Sequence, residues 1–186
     1  MKKILIVFTL VVLLCVSFGC QGKEAMAELE AFKAQVAVEE QNKELVKGLI
    51  EEFNKGNVEG WRKLFAPEFG YYQPSMTTEP MSIEQTIVAF QRIYKGFPDY
   101  SWNVNELIAK GDKVIAWTVF TGTHEGQYGS IPATGNNIRL SIISIFQFKD
   151  GKWIETREEE NILDFMQQLG MELKPKEEKS TSPEFL

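Results

Sequence analysis

The run Glu155-Thr156-Arg157-Glu158-Glu159-Glu160-Asn161 is the part of this sequence richest in groups that could do chemistry. A carboxylate works as an acid or base near neutrality only when its surroundings raise its pKa, chiefly by removing it from water. On an extended strand Thr156, Glu158 and Glu160 share one face, and Glu155, Arg157, Glu159 and Asn161 share the other. Facing an apolar pocket, Glu158 is a candidate general base; facing water, it is a solvated or salt-bridged strand residue. The choice depends on the turn at Asp150-Gly151, because a two-residue hairpin and a bulged three-residue one give opposite registers. The residues alone leave both open. His124 is the only histidine, so a two-His metal motif is excluded. At the end of an apolar strand it is either a hydrogen-bonded structural residue or a catalytic or ligand contact at a pocket mouth. Ser130 lacks the Gly-x-Ser-x-Gly elbow of hydrolases, and neither a phosphate-binding glycine loop nor calcium-loop spacing occurs, so no metal or cofactor is expected.

The 186 residues suit one globular domain with extensions. Twenty Lys and Arg against 26 Asp and Glu give a net charge of −6, which lacks the positive field that neutralises phosphates, so nucleic acid is not an expected partner. The two cysteines, Cys15 and Cys20, both lie near the N-terminus, leaving the rest with no disulfide framework and no cysteine zinc site. Lys2 and Lys3, the apolar run Ile4 to Leu14 and the small residues Ser17 and Gly19 before Cys20 have the layout of a secretory signal. The end Val16-Ser17-Phe18-Gly19-Cys20 resembles a lipobox, with Ser17 where Leu is usual. Residues 1–20 are therefore expected to export the protein and to leave Cys20 lipidated and membrane-anchored, with simple secretion or an uncleaved membrane helix as the alternatives.

Positioning these groups requires a scaffold, and the hydrophobic period supplies one. Residues 21–41, rich in Ala, Glu, Lys and Gln, read as a helical or flexible spacer. Leu45, Leu49, Ile50 and Phe53 repeat at helical spacing up to Asn54-Lys55-Gly56-Asn57, and a short second helix is expected from Val58 through Trp61 to Phe65. A third starts at Ser82, with Gln85 as its capping partner, and buries Ile83, Ile87 and Phe90. After Asp99 the period becomes two. Strands are expected at about 100–109, 113–125, 137–149 and 152–161, with a short earlier one near 69–73, followed by a helix at 163–169 and a disordered acidic tail over 173–186. Helices first and strands afterwards give an α+β domain over 42–172, an antiparallel sheet with helices on one face. The aromatic surface exceeds what a small core needs, and Trp61, Tyr72, Phe90, Trp117 and Phe120 are candidate walls of a small-molecule cavity, with Ser144 and Asn161 as polar contacts.

Gly96-Phe97-Pro98-Asp99, Gly122-Thr123-His124-Glu125-Gly126, Ile131-Pro132-Ala133-Thr134-Gly135-Asn136, Asp150-Gly151-Lys152 and Gln167-Gln168-Leu169-Gly170 form an ordered set. It resembles the SnoaL-like branch of the nuclear-transport-factor-2-like superfamily, and the likeness extends over about 42–172. The resemblance implies a cone of curved antiparallel sheet with three helices enclosing an apolar pocket, often in a dimer. It implies cofactor-independent acid/base chemistry on a small carbonyl compound, such as cyclisation or isomerisation. A non-catalytic ligand- or protein-binding lipoprotein is the alternative. The catalytic aspartate of the cyclases corresponds to Glu158, one methylene longer, and a histidine of the cyclases corresponds to Ser144.

Overall fold

The computed structural model of the chain describes residues 2–73, 78–172 and 174, with side chains from Gly22 onward. The side chain of Cys20 and the expected tail, Lys174 apart, lie outside the described residues. Helix α1 runs over Lys2–Asn54, so the spacer is helical and continuous with the first core helix. From Gly22 to Val38 its side chains stand in solvent, Gln35 being partly covered. Docking begins where Glu39 accepts from the Gly111 backbone N–H at 2.8 Å and Asn42 donates to the Gly111 carbonyl at 3.2 Å. Beyond that point Val46, Leu49, Ile50 and Phe53 are buried. Among the described residues no helix is long and apolar enough to cross a membrane.

The expected second helix is a single 3-10 segment, Val58–Lys63, and Phe65 already belongs to strand β1, Phe65–Tyr72. Helix α2, Ile83–Gly96, opens on a reciprocal cap: Gln85 N–H donates to Ser82 Oγ at 3.4 Å, and Ser82 N–H donates to Gln85 Oε1 at 2.9 Å. Strands β2 (Ser101–Lys110), β3 (Lys113–Thr123), β4 (Asn137–Lys149) and β5 (Lys152–Glu160) follow, and α3 covers Ile162–Gln168. The sheet order is β1-β5-β4-β3-β2. Neighbours among β2 to β5 are antiparallel, but β1 pairs with β5 in parallel, so the expected antiparallel sheet is mixed at one edge. The protein is thus an α+β fold in which a curved five-stranded sheet carries its helices on the concave side.

Two irregularities decide which residues face that side. Across β2 and β3 the register shifts between Val104 and Glu106, leaving Asn105 as the extra residue; Trp102 before it and Leu107 after it both turn inward. Across β4 and β5, Lys149 pairs with Lys152 around a two-residue turn in which Asp150 (φ 50°) and Gly151 (φ 71°) both occupy the left-handed region. Phe148 then pairs with Trp153, but Gln147 pairs with Glu155, so Ile154 is bulged. The bulge reverses the alternation after Trp153 and sends Thr156 and Glu158 to the buried face.

Helix α2 and the segment after β3 meet with no room to spare. Gly126 N–H donates to the Gly96 carbonyl at 3.0 Å, and a Cβ on Gly126 would lie 1.8 Å from the Lys95 carbonyl oxygen. Gly126→Ala is expected to cost at least ~3 kcal/mol, since backbone rather than a movable side chain must yield. Equilibrium urea unfolding checks this; an unchanged midpoint would show that the two segments separate freely.

Candidate functional site

The concave face, α1, α2 and α3 enclose a cavity of about 100 Å³. Its walls are aromatic, with Phe53 from α1, Phe90 from α2, Trp102 from β2 and Phe120 from β3. Half-buried Gln73, Met81, Ile93 and Glu160 mark its open side. Among the described residues no Lys, Arg or His lines the cavity, and the only lining acids are Glu158 and Glu160. Among the described residues no group of three or more His, Cys, Asp and Glu is placed to hold a metal ion.

Glu158 is 5 % exposed and sits where β5 passes between β4 and β1. Tyr71 donates its hydroxyl to Oε1, and Ser144 donates Oγ–H to Oε2 at 2.8 Å. Burial pushes the Glu158 pKa up, and the two donors oppose that by favouring the carboxylate. Tyr71 is held protonated by its burial and by the adjacent carboxylate. Two residues on, the half-buried Glu160 receives no hydrogen bond among the described residues. Burial, then the charges of Glu158 and Glu159, raise its pKa to about 8. The strand therefore offers the cavity one carboxylate that is hydrogen-bonded and one carboxyl group that is not.

Of the residues expected from the sequence, Glu158, Phe90 and Phe120 line this cavity, and Ser144 reaches it through its bond to Glu158. Trp61 lies deeper. It is 1 % exposed, donates its indole N–H to the Leu49 carbonyl at 3.0 Å, and borders only a void of about 10 Å³ behind Tyr71 and Glu158. Trp117 is on the outer face, 44 % exposed and donating to Ser141 Oγ, because inward positions of β3 are the even-numbered ones. Tyr72 likewise faces away from the cavity, stacked beneath Arg157 at 4.6 Å; its neighbour Tyr71 occupies the inner position. Asn161 caps α3 by accepting from Asp164 N–H at 3.0 Å. His124 is fully buried and is not a lining residue. It packs on Phe97, its Nδ1 lies 3.0 Å from Thr134 Oγ1, and its backbone clasps Thr134, Gly135 and Asn136. Burial lowers its pKa, so it is a neutral loop clamp.

Sequence reasoning missed Glu160, Phe97, Tyr128 and Phe165 as lining residues. The signal for Glu160 was present, since it shares a strand face with Glu158. Tyr128 and Phe165 lie on a loop and a helix, for which strand alternation offers no guide.

Residues 43–169 match the family model for SnoaL-like polyketide cyclase. The chain belongs to that family. Among solved structures, a SnoaL-like polyketide cyclase candidate from Jannaschia sp. CCS1 is 26 % identical, with a TM-score of 0.64 over 73 % of this chain and 96 % of that one. IdmH, a polyketide cyclase candidate from Streptomyces antibioticus, is also 26 % identical, with a TM-score of 0.63 over 70 % of this chain and 99 % of its own. AclR, a hydroxylase candidate from Streptomyces galilaeus, shares the fold at 23 % identity and a TM-score of 0.65, over 71 % and 97 % of the two chains. No curated protein matches the sequence. SnoaL-like family membership thus covers the cone and both glutamates, and leaves the exposed part of α1 outside.

The two raised carboxyls set a pH dependence for this family member. The folded protein keeps on Glu160 a proton that the unfolded chain gives up near the ordinary value of 4.5, so stability is complete below that value and is lost as pH rises through about 8. Glu158 acts in the same direction. Thermal unfolding is expected to show a melting temperature that falls between about pH 5 and about pH 9, with a shallower fall in Glu160→Gln. Equal slopes in the two proteins would place the titration elsewhere.

Proposed function

We propose that this domain binds a small, largely apolar carbonyl compound in its cavity and moves a proton on it without a cofactor, as a cyclase or isomerase does. The observation that carries this reading is Glu158: a buried carboxylate, held by Tyr71 and Ser144, opening into a cavity with aromatic walls. The apolar walls exclude water from the reacting carbon, and the raised pKa makes Glu158 a stronger base than an exposed carboxylate. Ser144, where the family's cyclases carry a histidine, donates to Glu158 and so positions the base. A panel of small ketones in D2O, followed by NMR for binding and for α-proton exchange, tests the proposal. Accelerated exchange supports it, whereas binding with no exchange by any ketone favours the non-catalytic reading.

The proposal includes export by residues 1–20 and lipidation at Cys20, supported by the charged, apolar and small-residue order of that segment. Mass spectrometry finding Met1 at the N-terminus of the mature protein would refute it. A homodimer through the outer sheet face is also proposed. Ile108, Ile115, Trp117 and Ile143 expose apolar surface there, and analytical ultracentrifugation showing a monomer at micromolar concentration would oppose it.

A further inference from the structure

We propose that Glu160 is a second catalytic residue of this cavity, a protonated carboxyl that donates to the substrate's carbonyl oxygen while Glu158 takes the proton from the neighbouring carbon. This rests on the proton-transfer reading above and supplies the partner that a lone base lacks. Glu158 and Glu160 point to the same side of β5 and line the same cavity, where among the described residues no lining cation balances two negative charges. Two carboxyls in one apolar enclosure do not both ionise readily, and the environments differ enough to say which one does. Glu158 has two hydroxyl donors, and those bonds favour its charged form. Glu160 has none, and sits at the half-buried open side where its proton can be replaced from water.

The groups acting on Glu160 agree with this division. Burial first, and then Glu158 and Glu159 on its own strand, together raise its pKa to about 8. From the other packed elements, Tyr71 on β1 and Tyr128 in the loop after β3 also line the cavity, and both are kept neutral by burial and by the glutamates. Arg92 of α2, whose charge acts on Tyr128, is exposed.

The proton count closes. The Glu158 carboxylate forms an O–H bond as the carbon–hydrogen bond breaks. The released pair becomes the enol double bond, and the carbonyl π pair goes to oxygen, which takes the Glu160 proton. The negative charge has then moved from Glu158 to Glu160, and the enol is neutral. Returning the proton from Glu158 to carbon, at the same or a conjugated position, while the enol O–H gives its proton back to Glu160 and the carbonyl re-forms, restores both residues and needs no other reactant.

The test uses the full chain and two probes. In Glu158→Gln, which imitates the base after it has taken its proton, 4-nitrophenol presents an oxyanion that is coloured when ionised. The variant should bind the phenolate, with affinity declining as pH rises through the Glu160 titration. Adding Glu160→Leu should weaken binding at least ~10-fold and flatten that profile, the scale of losing one hydrogen bond to a charged group. Adding the nearly isosteric Glu160→Gln should keep most of the affinity but also flatten the profile. No phenolate binding by Glu158→Gln, or equal affinity and profile after loss of Glu160, would overturn the role of Glu160.

The second probe is α-proton exchange of cyclohexanone and acetophenone in D2O. Glu160→Leu is expected to slow exchange ~10²-fold, the cost of removing one donor to a developing oxyanion. An unchanged rate overturns the assignment of Glu160 alone. No acceleration by the unmodified protein on either ketone overturns the proton-transfer reading, and the phenolate measurement then still reports whether Glu160 donates.

Discussion

Glu158→Gln is expected to lower turnover ~10²–10⁴-fold while ligand affinity changes little, because it removes the titrating site and keeps the shape of the side chain. The local hydrogen bonds can survive. The amide oxygen accepts from the Tyr71 hydroxyl, and the amide N–H₂ donates to Ser144 Oγ, whose own proton then turns elsewhere. Burial of a charge no longer opposes folding at high pH, so the variant should melt no lower than the unmodified protein above neutrality. Kinetics on any ketone that exchanges its α-protons, paired with a binding titration of the same ketone, separate the outcomes. Retained turnover would remove Glu158 from the mechanism. A loss of affinity equal to the loss of turnover would instead make Glu158 a binding contact. Trp117→Ala serves as the control, since Trp117 lies outside the cavity and its truncation should leave both quantities unaltered.

The strands after Asp99 were legible because a half-buried sheet imposes alternation, and Ile138, Leu140, Ile142, Ser144, Phe146 and Phe148 are buried at every second position of β4. On β3 the same rule could not be anchored, because Ile115 and Trp117 are apolar residues on the outer face. Strand β1 was misread at its start. Pro67 looks like a helix breaker, yet it sits in the irregular stretch between Phe65 and Gly70, where pairing with β5 lapses and a missing N–H costs nothing. The face of Glu158 was undecidable for a related reason. The sequence posed a two-residue turn or a bulged one as alternatives, and the protein uses a two-residue turn followed by a bulge at Ile154. The bulge lets Trp153 pack on Phe146 across the hairpin and on Phe65 of β1, and Phe65 is remote in sequence.

Several residues that carried the family resemblance hold loops instead of touching the cavity. Asp99 accepts from Thr123 N–H and Oγ–H, each at 2.6 Å, and these bonds keep its pKa low. Gln168 accepts from Arg139 N–H at 2.7 Å and donates to the Arg139 carbonyl at 3.0 Å, fastening α3 to the edge of β4. His124 and Gly126 fix the segment between β3 and β4. Such motifs report the fold with high specificity because each bond has one geometry, and for that reason they say little about the ligand.

Phe53→Ala is expected to destabilise the domain by ~3–5 kcal/mol, a large fraction of the ~5–15 kcal/mol that holds a domain folded. Phe53 is fully buried, and its ring meets Trp61, Phe90, Tyr94, Tyr100 and Trp102 at centroid distances of 4.9 to 6.2 Å. It is also the last core contact of α1, directly above the cavity. Truncation would merge the space left by one ring with an existing opening, so the surrounding side chains have no single way to collapse into it. The polar frame should persist, because Tyr100 donates to the Phe53 carbonyl at 2.6 Å through the backbone, which alanine retains. Urea unfolding measures the loss, and benzene provides the internal check: an apolar ligand that fills the vacated volume should stabilise Phe53→Ala by more than it stabilises the unmodified protein, whose native cavity it can also enter. A loss below ~1 kcal/mol would mean that the aromatic cluster re-packs without Phe53, and equal benzene stabilisation of both proteins would mean that the ligand fills the original cavity instead.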